Sequence, residues 1–259
     1  MSKKVSVITT TFQDLEHLKK VVKSIEEQDY DNLEYIIVDG GSKDGTKEYL
    51  NKLDTSFAVK PGRSFRFISE PDEGIYDAIN KGIRMAGGDI IGVMFDRFSS
   101  DNMISRMAAV MEAENTDGVH GDLEYVDADG GLVRHWEMGN GGNIKNGWMP
   151  AHPTLYLKKE VYEKYGLYKT NYKIAADYEF MVRILKDRKV KLSYIHEVLV
   201  YMFYGGTSTG GLGNYIHSFM ESVRALRENH VPFAFIICIK RTFRVFMQFG
   251  IWGRKRKKG

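Results

Sequence analysis

Cysteine is nearly absent from this chain of 259 residues: Cys238 is the only one. That excludes a disulfide framework and any multi-cysteine metal site, and it suits a reducing compartment. Long apolar runs are missing as well. The longest late one, residues 231–239, has nine residues, where ~18–20 are needed to cross a bilayer. Residues 1–4 lead into an apolar stretch without the charged, apolar and small-residue succession of a secretory leader, so a cytoplasmic location is expected. A charge excess is missing too: 37 Lys and Arg stand against 34 Asp and Glu, for a net +3. That balance argues against a nucleic-acid protein that neutralises many phosphates. No G-x-G-x-x-G follows the first strand and no G-K-[ST] occurs anywhere, so neither a dinucleotide fingerprint nor a P-loop is present. The sequence holds no internal repeat.

What is present is an ordinary folded composition, 43% apolar and 27% charged with a mean hydropathy of −0.35. The length suits one large domain or two small ones. Short apolar strands are expected at 5–9, 33–38, 65–69 and 90–94. Helical spacing of apolar residues is expected at 15–25, 46–53 and 75–85. Strands and helices in alternation imply a mostly parallel, doubly wound α/β sheet. Ligands of such sheets lie beyond the carboxyl ends of the strands. Further on, 119–126 and 132–136 read as antiparallel strands around the turn 127–131, and 139–147 as a loop. Residues 154–157 and 198–203 read as strands. Residues 159–165, 176–186 and 214–229 read as helices, followed by a basic amphipathic tail.

Polar residues just after the strands are the first candidates for function. Asp39 ends the second strand and opens Asp39-Gly-Gly-Ser-Lys-Asp-Gly-Thr46. A carboxylate there can accept bonds from a ribose or a base N–H while the glycines let backbone amides approach a ligand. The same residues also make an Asp turn with a helix cap from Asp44 or Thr46. In Asp72-Glu-Gly-Ile-Tyr-Asp-Ala-Ile-Asn80-Lys-Gly82, Asp77 and Asn80 share a helix face, which either binds a ligand or ties the helix to a neighbouring loop.

Together these segments resemble glycosyltransferase family 2. The resemblance rests on Thr9-Thr-Thr-Phe-Gln13, the two motifs just given, Gly88-Asp-Ile-Ile-Gly92, His152-Pro-Thr-Leu-Tyr156 and Ile174-Ala-Ala-Asp177-Tyr-Glu-Phe180, in that order over residues 4–205. It implies a GT-A fold: a Rossmann-like central sheet flanked by helices, with a small antiparallel acceptor-side part. It implies a nucleotide-sugar donor across the strand ends, with Thr9, Asp39, Asp72 and Asn80 on the nucleotide side and His152 near the acceptor or the diphosphate. Asp177 matches the base that deprotonates the acceptor hydroxyl in an inverting transfer; a helix N-cap is the other role open to it, compatible with the first.

The family's acidic pair after the fourth strand is altered. Phe95-Asp96-Arg97-Phe98 offers one carboxylate and a guanidinium. Three readings are open. Asp96 binds a divalent cation, Mg or Mn, together with the diphosphate; Arg97 pairs with the diphosphate directly; or the site is impaired and the chain is a sugar-nucleotide-binding or scaffold protein.

Trp136 and Trp148 either stack on a sugar or belong to the core. Residues 204–211 read as a mobile lid or a plain connector. Residues 240–258 hold eight cations and no acid, interleaved with Phe243, Phe246, Phe249 and Trp252. Taking those eight from +3 leaves −5 for residues 1–239. A basic segment with aromatics reads as a contact to an anionic membrane surface on the inner face of the cell membrane, or as a solvated terminus. It would suit a glycan or polyprenyl-linked acceptor in cell-surface polysaccharide synthesis. The expected division is a catalytic domain at 1–212, with a nucleotide half to residue 100, and helices with the basic tail at 213–259. Pairing of two copies is left open.

Overall fold

The computed structural model describes residues 2–57, 61–139, 142–204 and 211–255. Four parallel strands build the first half: β1 (Val5–Thr11), β2 (Leu33–Asp39), β3 (Ser64–Ser69) and β4 (Ile90–Val93) lie in the order β3-β2-β1-β4. The apolar runs of β2 and β4 reflect burial on both faces, every residue of each being buried, while β3 at the sheet edge is only partly covered. Helices α1 (Leu15–Glu26), α2 (Thr46–Phe57) and α3 (Ile75–Met85) form the crossovers. All four strands stand where the apolar runs predict them, within two residues at either end.

The sheet runs on without a break past residue 100. Beyond β4 it continues through β8 (Tyr156–Lys158), β6 (Gly118–Val126), β9 (Leu192–Phe203) and the two-residue β5 (Arg97–Phe98), while β7 (Leu132–Trp136) hangs on β6 as the predicted hairpin. Here the pairing is mixed: β4 with β8 and β8 with β6 are antiparallel, and β6 with β9 is parallel. Helix α4 (Met103–Ala113) is absent from the sequence reading. Its buried face is Met103, Ile104, Met107 and Met111, a methionine stripe.

Helices α5 (Lys159–Tyr165) and α6 (Ala176–Leu185) follow, then the hairpin of α7 (Gly211–Glu228) and α8 (Ala234–Lys255). One apolar core lies on each face of the sheet. The one under α3 and α6 also takes in Val223, Leu226, Ala234, Ile237 and Cys238, so the C-terminal hairpin shares the core of the body. No helix of the described residues is long and apolar enough to cross a membrane. Residues 205–210 of the segment 204–211, expected as a lid or a connector, and residues 256–259 of the tail lie outside the described residues.

Candidate active site

The carboxyl ends of β1 to β4 open onto one edge, and the motif loops close over it. Asp39 is fully buried at the end of β2. Its carboxylate accepts from the Ser42 amide (3.2 Å), the Ser42 hydroxyl (2.5 Å) and the Ser69 hydroxyl at the end of β3 (2.6 Å). The Ser42 hydroxyl in turn accepts from the Gln13 amide at 2.7 Å. Asp39 therefore locks three loops together. The helix-capping role falls to Asp44, which accepts from the Thr46 amide and hydroxyl and also from the first amide of α1, at Leu15.

The glycines of this motif have a steric task. A Cβ on Gly40 would stand 2.7 Å from Asp72 Oδ2 and 3.1 Å from the Phe12 ring, and Gly41 has φ +83°. Asp72 is thus brought against the Asp39 turn, with its other oxygen accepting from the Gly74 amide at 2.8 Å. Phe12, 63% exposed, stands beside both as an open aromatic wall. Phe12 lies within the Thr9–Gln13 motif, where no local signal in the sequence marks its ring for a role.

Two expected nucleotide contacts are placed differently. Thr9 is buried; its hydroxyl donates to the Met94 carbonyl and accepts from Tyr35, both at 3.1 Å, so it ties β1 to β4 and β2 and does not face the cleft. Asn80 is buried on the inner face of α3. Its amide donates to the Tyr168 carbonyl (2.8 Å) and accepts from the Tyr168 amide (3.0 Å), the pairing of a backbone ladder made by a side chain. Asn80 is the tie to a neighbouring loop.

That tie leads to Asp177. The Tyr168 ring stacks on Tyr76 of the same motif, with centroids 6.1 Å apart. The Tyr76 hydroxyl lies 2.5 Å from the Ile174 carbonyl and 3.2 Å from Asp177 Oδ1. Burial, and secondly the Asp177 charge, hold the Tyr76 phenol well above its ordinary pKa, so it stays a neutral hydrogen-bond donor. Asp177 is half-buried in the first turn of α6. The cap position belongs to Ala175, so Asp177 is not the N-cap; it sits where the helix dipole favours a carboxylate.

The N-terminus of α6 is held from outside the motif. Glu221 on α7 is buried, and its carboxylate accepts the amides of Lys173, Ile174 and Ala175 at 2.8–2.9 Å. The fully buried Glu179 pairs with Lys169 (3.0 Å) and Arg183 (2.9 Å) and fixes the same helix from the other side. No local signal in the sequence marks Glu221, because its partners lie 46–48 residues away.

His152 is buried beside this cluster. Its Nε2 lies 2.7 Å from the Tyr168 hydroxyl and its ring packs on Phe95. Burial depresses its pKa; the nearby Asp177 charge opposes this, and the net shift is downward. It is a packed, neutral imidazole. Trp148 is likewise core: it is buried and donates to the Met138 carbonyl. Trp136 is half-buried under the Arg134 guanidinium, 4.6 Å from the ring centroid.

Asp96 is buried, with Oδ2 accepting from the Phe203 amide at 2.6 Å. Burial raises its pKa, against the Phe203 amide and the charges of His17, Arg97 and Lys20. Arg97 is exposed and lies over Tyr201, 5.6 Å from its centroid. A cation would meet one carboxylate set among positive groups. Among the described residues no group of three His, Cys, Asp or Glu side chains is arranged to hold a metal. The residues present do not make a cation site by themselves.

Residues 6–175 match the sequence profile of glycosyl transferase family 2. An uncharacterized glycosyltransferase of Mycobacterium tuberculosis is 31% identical over 197 residues, covering 69% of this chain and 68% of the relative. Among solved structures, S. aureus TarS 1-349 in complex with UDP-GlcNAc superposes with a TM-score of 0.70 at 16% identity, over 93% of this chain and 73% of that one. The present chain spans 40% of the longer TarS chain. The mannosyltransferase PcManGT from Pyrobaculum calidifontis, solved with GDP-Man and Mn2+, gives a TM-score of 0.63 at 16% identity over 93% of this chain and 74% of that one. The GT-A fold expected from the motifs is the fold shared with these enzymes. By the profile match over most of its length, the chain belongs to glycosyl transferase family 2 and is a glycosyltransferase.

Proposed function

We propose that the chain moves a sugar from a nucleotide-sugar donor to a hydroxyl of a glycan or polyprenyl-linked acceptor, with inversion at the anomeric carbon and Asp177 as the base. The observation that carries this is the setting of Asp177. It is a half-exposed carboxylate on the first turn of a rigid helix, and it stands beside the neutral Tyr76 of the strand-end motif. In a single displacement the acceptor hydroxyl attacks the anomeric carbon, its proton passes to the Asp177 carboxylate, and the nucleoside diphosphate leaves on the opposite side. The Tyr76 hydroxyl, shared between the Ile174 carbonyl and Asp177 Oδ1, ties the carboxylate to α3. Phe12, the Asp39 turn and Asp72 supply the wall and floor for the nucleoside.

The leaving diphosphate needs positive charge. Lys20 and Arg97 surround Asp96 on this edge. A divalent cation, Mg or Mn, would enter chiefly on the oxygens of the sugar donor itself, since such ions need only one or two protein carboxylates.

Thermal-shift measurements with UDP-, GDP- and dTDP-sugars, each with Mg2+ or Mn2+, identify the sugar donor, because a ligand of the native state raises apparent stability. Turnover of the stabilising donor is then followed with and without EDTA. Loss of turnover in EDTA supports the cation; full turnover in EDTA assigns the diphosphate to Arg97 and Lys20. Stabilisation by a sugar donor with no transfer to any acceptor would overturn the enzymatic reading in favour of a binding protein, as the altered Asp96-Arg97 pair allows.

A further inference from the structure

The C-terminal hairpin carries more exposed apolar surface than any other part of the described chain. On α8 the positions Ala234, Ile237, Cys238 and Arg241 face the body, a regular helical stripe. The opposite side is apolar too: Phe235 is 54% exposed, Ile236 51%, Ile239 48% and Phe243 64%, and Phe233 at the elbow 75%. On α7, Ile216 and Met220 are 56% and 57% exposed. The two helices are zipped together by Phe219 against Phe235 (centroids 5.5 Å) and by the Tyr215 hydroxyl donating to Thr242 at 2.8 Å. The exposed apolar residues of both helices therefore belong to one hairpin. A hollow of about 510 Å³ opens at its elbow, between Arg227 and His230 on one side and Phe233 and Ile236 on the other.

A helix with apolar residues on its outward side as well as its buried side is expected to have a partner for the outward one. The charges around this face say which partner. Arg227, Lys240 and Arg244 are exposed along it, and from Lys240 to Lys258 the sequence carries eight cations and no acid. A two-fold pairing of copies through this face would set those cations against themselves. A sheet of anionic headgroups over acyl chains matches both features: aromatic and aliphatic side chains enter the headgroup boundary while Lys and Arg meet the phosphates.

We propose that the α7–α8 hairpin is a docking face for an anionic lipid bilayer, with Phe233, Phe235, Ile239 and Phe243 as the inserted residues and Lys240 and Arg244 as headgroup contacts. The face begins well upstream of the basic tail that the sequence points to. The hairpin is also fastened to the catalytic helix: Arg241 lies over the Tyr178 ring, 4.3 Å from its centroid, and donates to Ser222. Docking would thereby hold the base at a fixed orientation to a membrane-borne acceptor.

The test is co-sedimentation of the full chain with vesicles of phosphatidylcholine alone or mixed with phosphatidylglycerol, without any sugar substrate, so that its outcome is independent of the transfer reaction. The wild type is expected to pellet with the mixed vesicles. Lys240→Gln with Arg244→Gln should weaken that binding roughly fivefold per cation. Phe235→Glu, Ile239→Glu and Phe243→Glu together should abolish it. All these positions are exposed; if the triple variant fails to fold, the Gln pair still decides the matter. Equal pelleting of wild type and Gln pair, or equal binding to neutral and anionic vesicles, would overturn the proposal. So would a wild type that ignores vesicles and sediments as a dimer dissociated by the triple substitution, which would give the face to a second copy.

Discussion

The two sides of the cleft are built on opposite principles. On the nucleotide side the polar motif residues are consumed by the protein itself: Asp39 binds two serines, Thr9 bridges strands, and Asn80 imitates a backbone. On the acceptor side Asp177 is kept half-exposed, while its surroundings (Tyr76, Tyr168, Glu221) supply the rigidity. On the proposed reading, the nucleotide half shapes a surface out of backbone turns and the acceptor half presents the base. A parallel sheet edge favours the first, since its loops must satisfy many backbone groups. A helix N-terminus favours the second.

The sharpest way to break this contrast is Asp177→Asn. Turnover should fall roughly 10²–10⁴-fold, while the thermal shift given by the sugar donor stays at its wild-type value. Unchanged turnover would remove Asp177 from the chemistry. Next in size is an effect of acid on the acceptor half. His120 on β6 is fully buried between Trp148 and Tyr194, and neither ring nitrogen has a partner. Burial pushes its pKa down from 6.5 to about 4. Between those values the unfolded chain binds the proton and the folded chain does not. Stability is thus full above pH 6.5 and is lost as pH falls toward 4, by about 3 kcal/mol in all. The His120→Phe variant should show a flatter dependence of unfolding free energy in that window by denaturant titration; an unaltered slope would contradict the assignment.

Glu221→Ala tests whether α7 positions the base. Three amides lose their acceptor, so stability should drop by about 2–3 kcal/mol. Turnover should fall at saturating sugar donor with donor affinity unchanged, and Glu221→Gln should restore part of both. A stability loss with turnover intact would reduce Glu221 to a structural tie. Smallest is Thr9→Val. Removing a hydroxyl bonded only inside the sheet should cost about 1 kcal/mol and leave binding of the sugar donor as it was; weakened binding would return Thr9 to the nucleotide site.

Much of this was legible in the residues. The apolar runs of β1 to β4 and the helical spacing of α1 and α3 announce themselves because each is a local pattern. The motif order marks Asp39 and Asp72, which the fold sets against one turn, and the hairpin around 127–131 stands where its turn residues put it. Helix α4 escaped because no side-chain cap marks its start and its buried face is mostly methionine, a weaker apolar signal than the branched residues of the other elements. The internal hydrogen bonds of Thr9 and Asn80 are hidden from the sequence for a different reason. A side chain near a strand end looks the same in sequence whether it points to the cleft or to its neighbour, and burial decides between the two.

The sequence by itself determined the alternation of strands and helices, the family and the set of carboxylates, because hydrophobic period and motif order are properties of neighbouring residues. Tertiary structure alone decided how far each of those carboxylates is buried and what holds it. Asp177 depends on Tyr76, 101 residues before it, and on Glu221, which takes the amides just ahead of it from a helix 46–48 residues further on. It likewise decided that the apolar residues of α8 cover both sides of a helix of which only one side meets the body. Hydrogen bonds and packing across such distances follow from chain folding in three dimensions, and no window of sequence contains them.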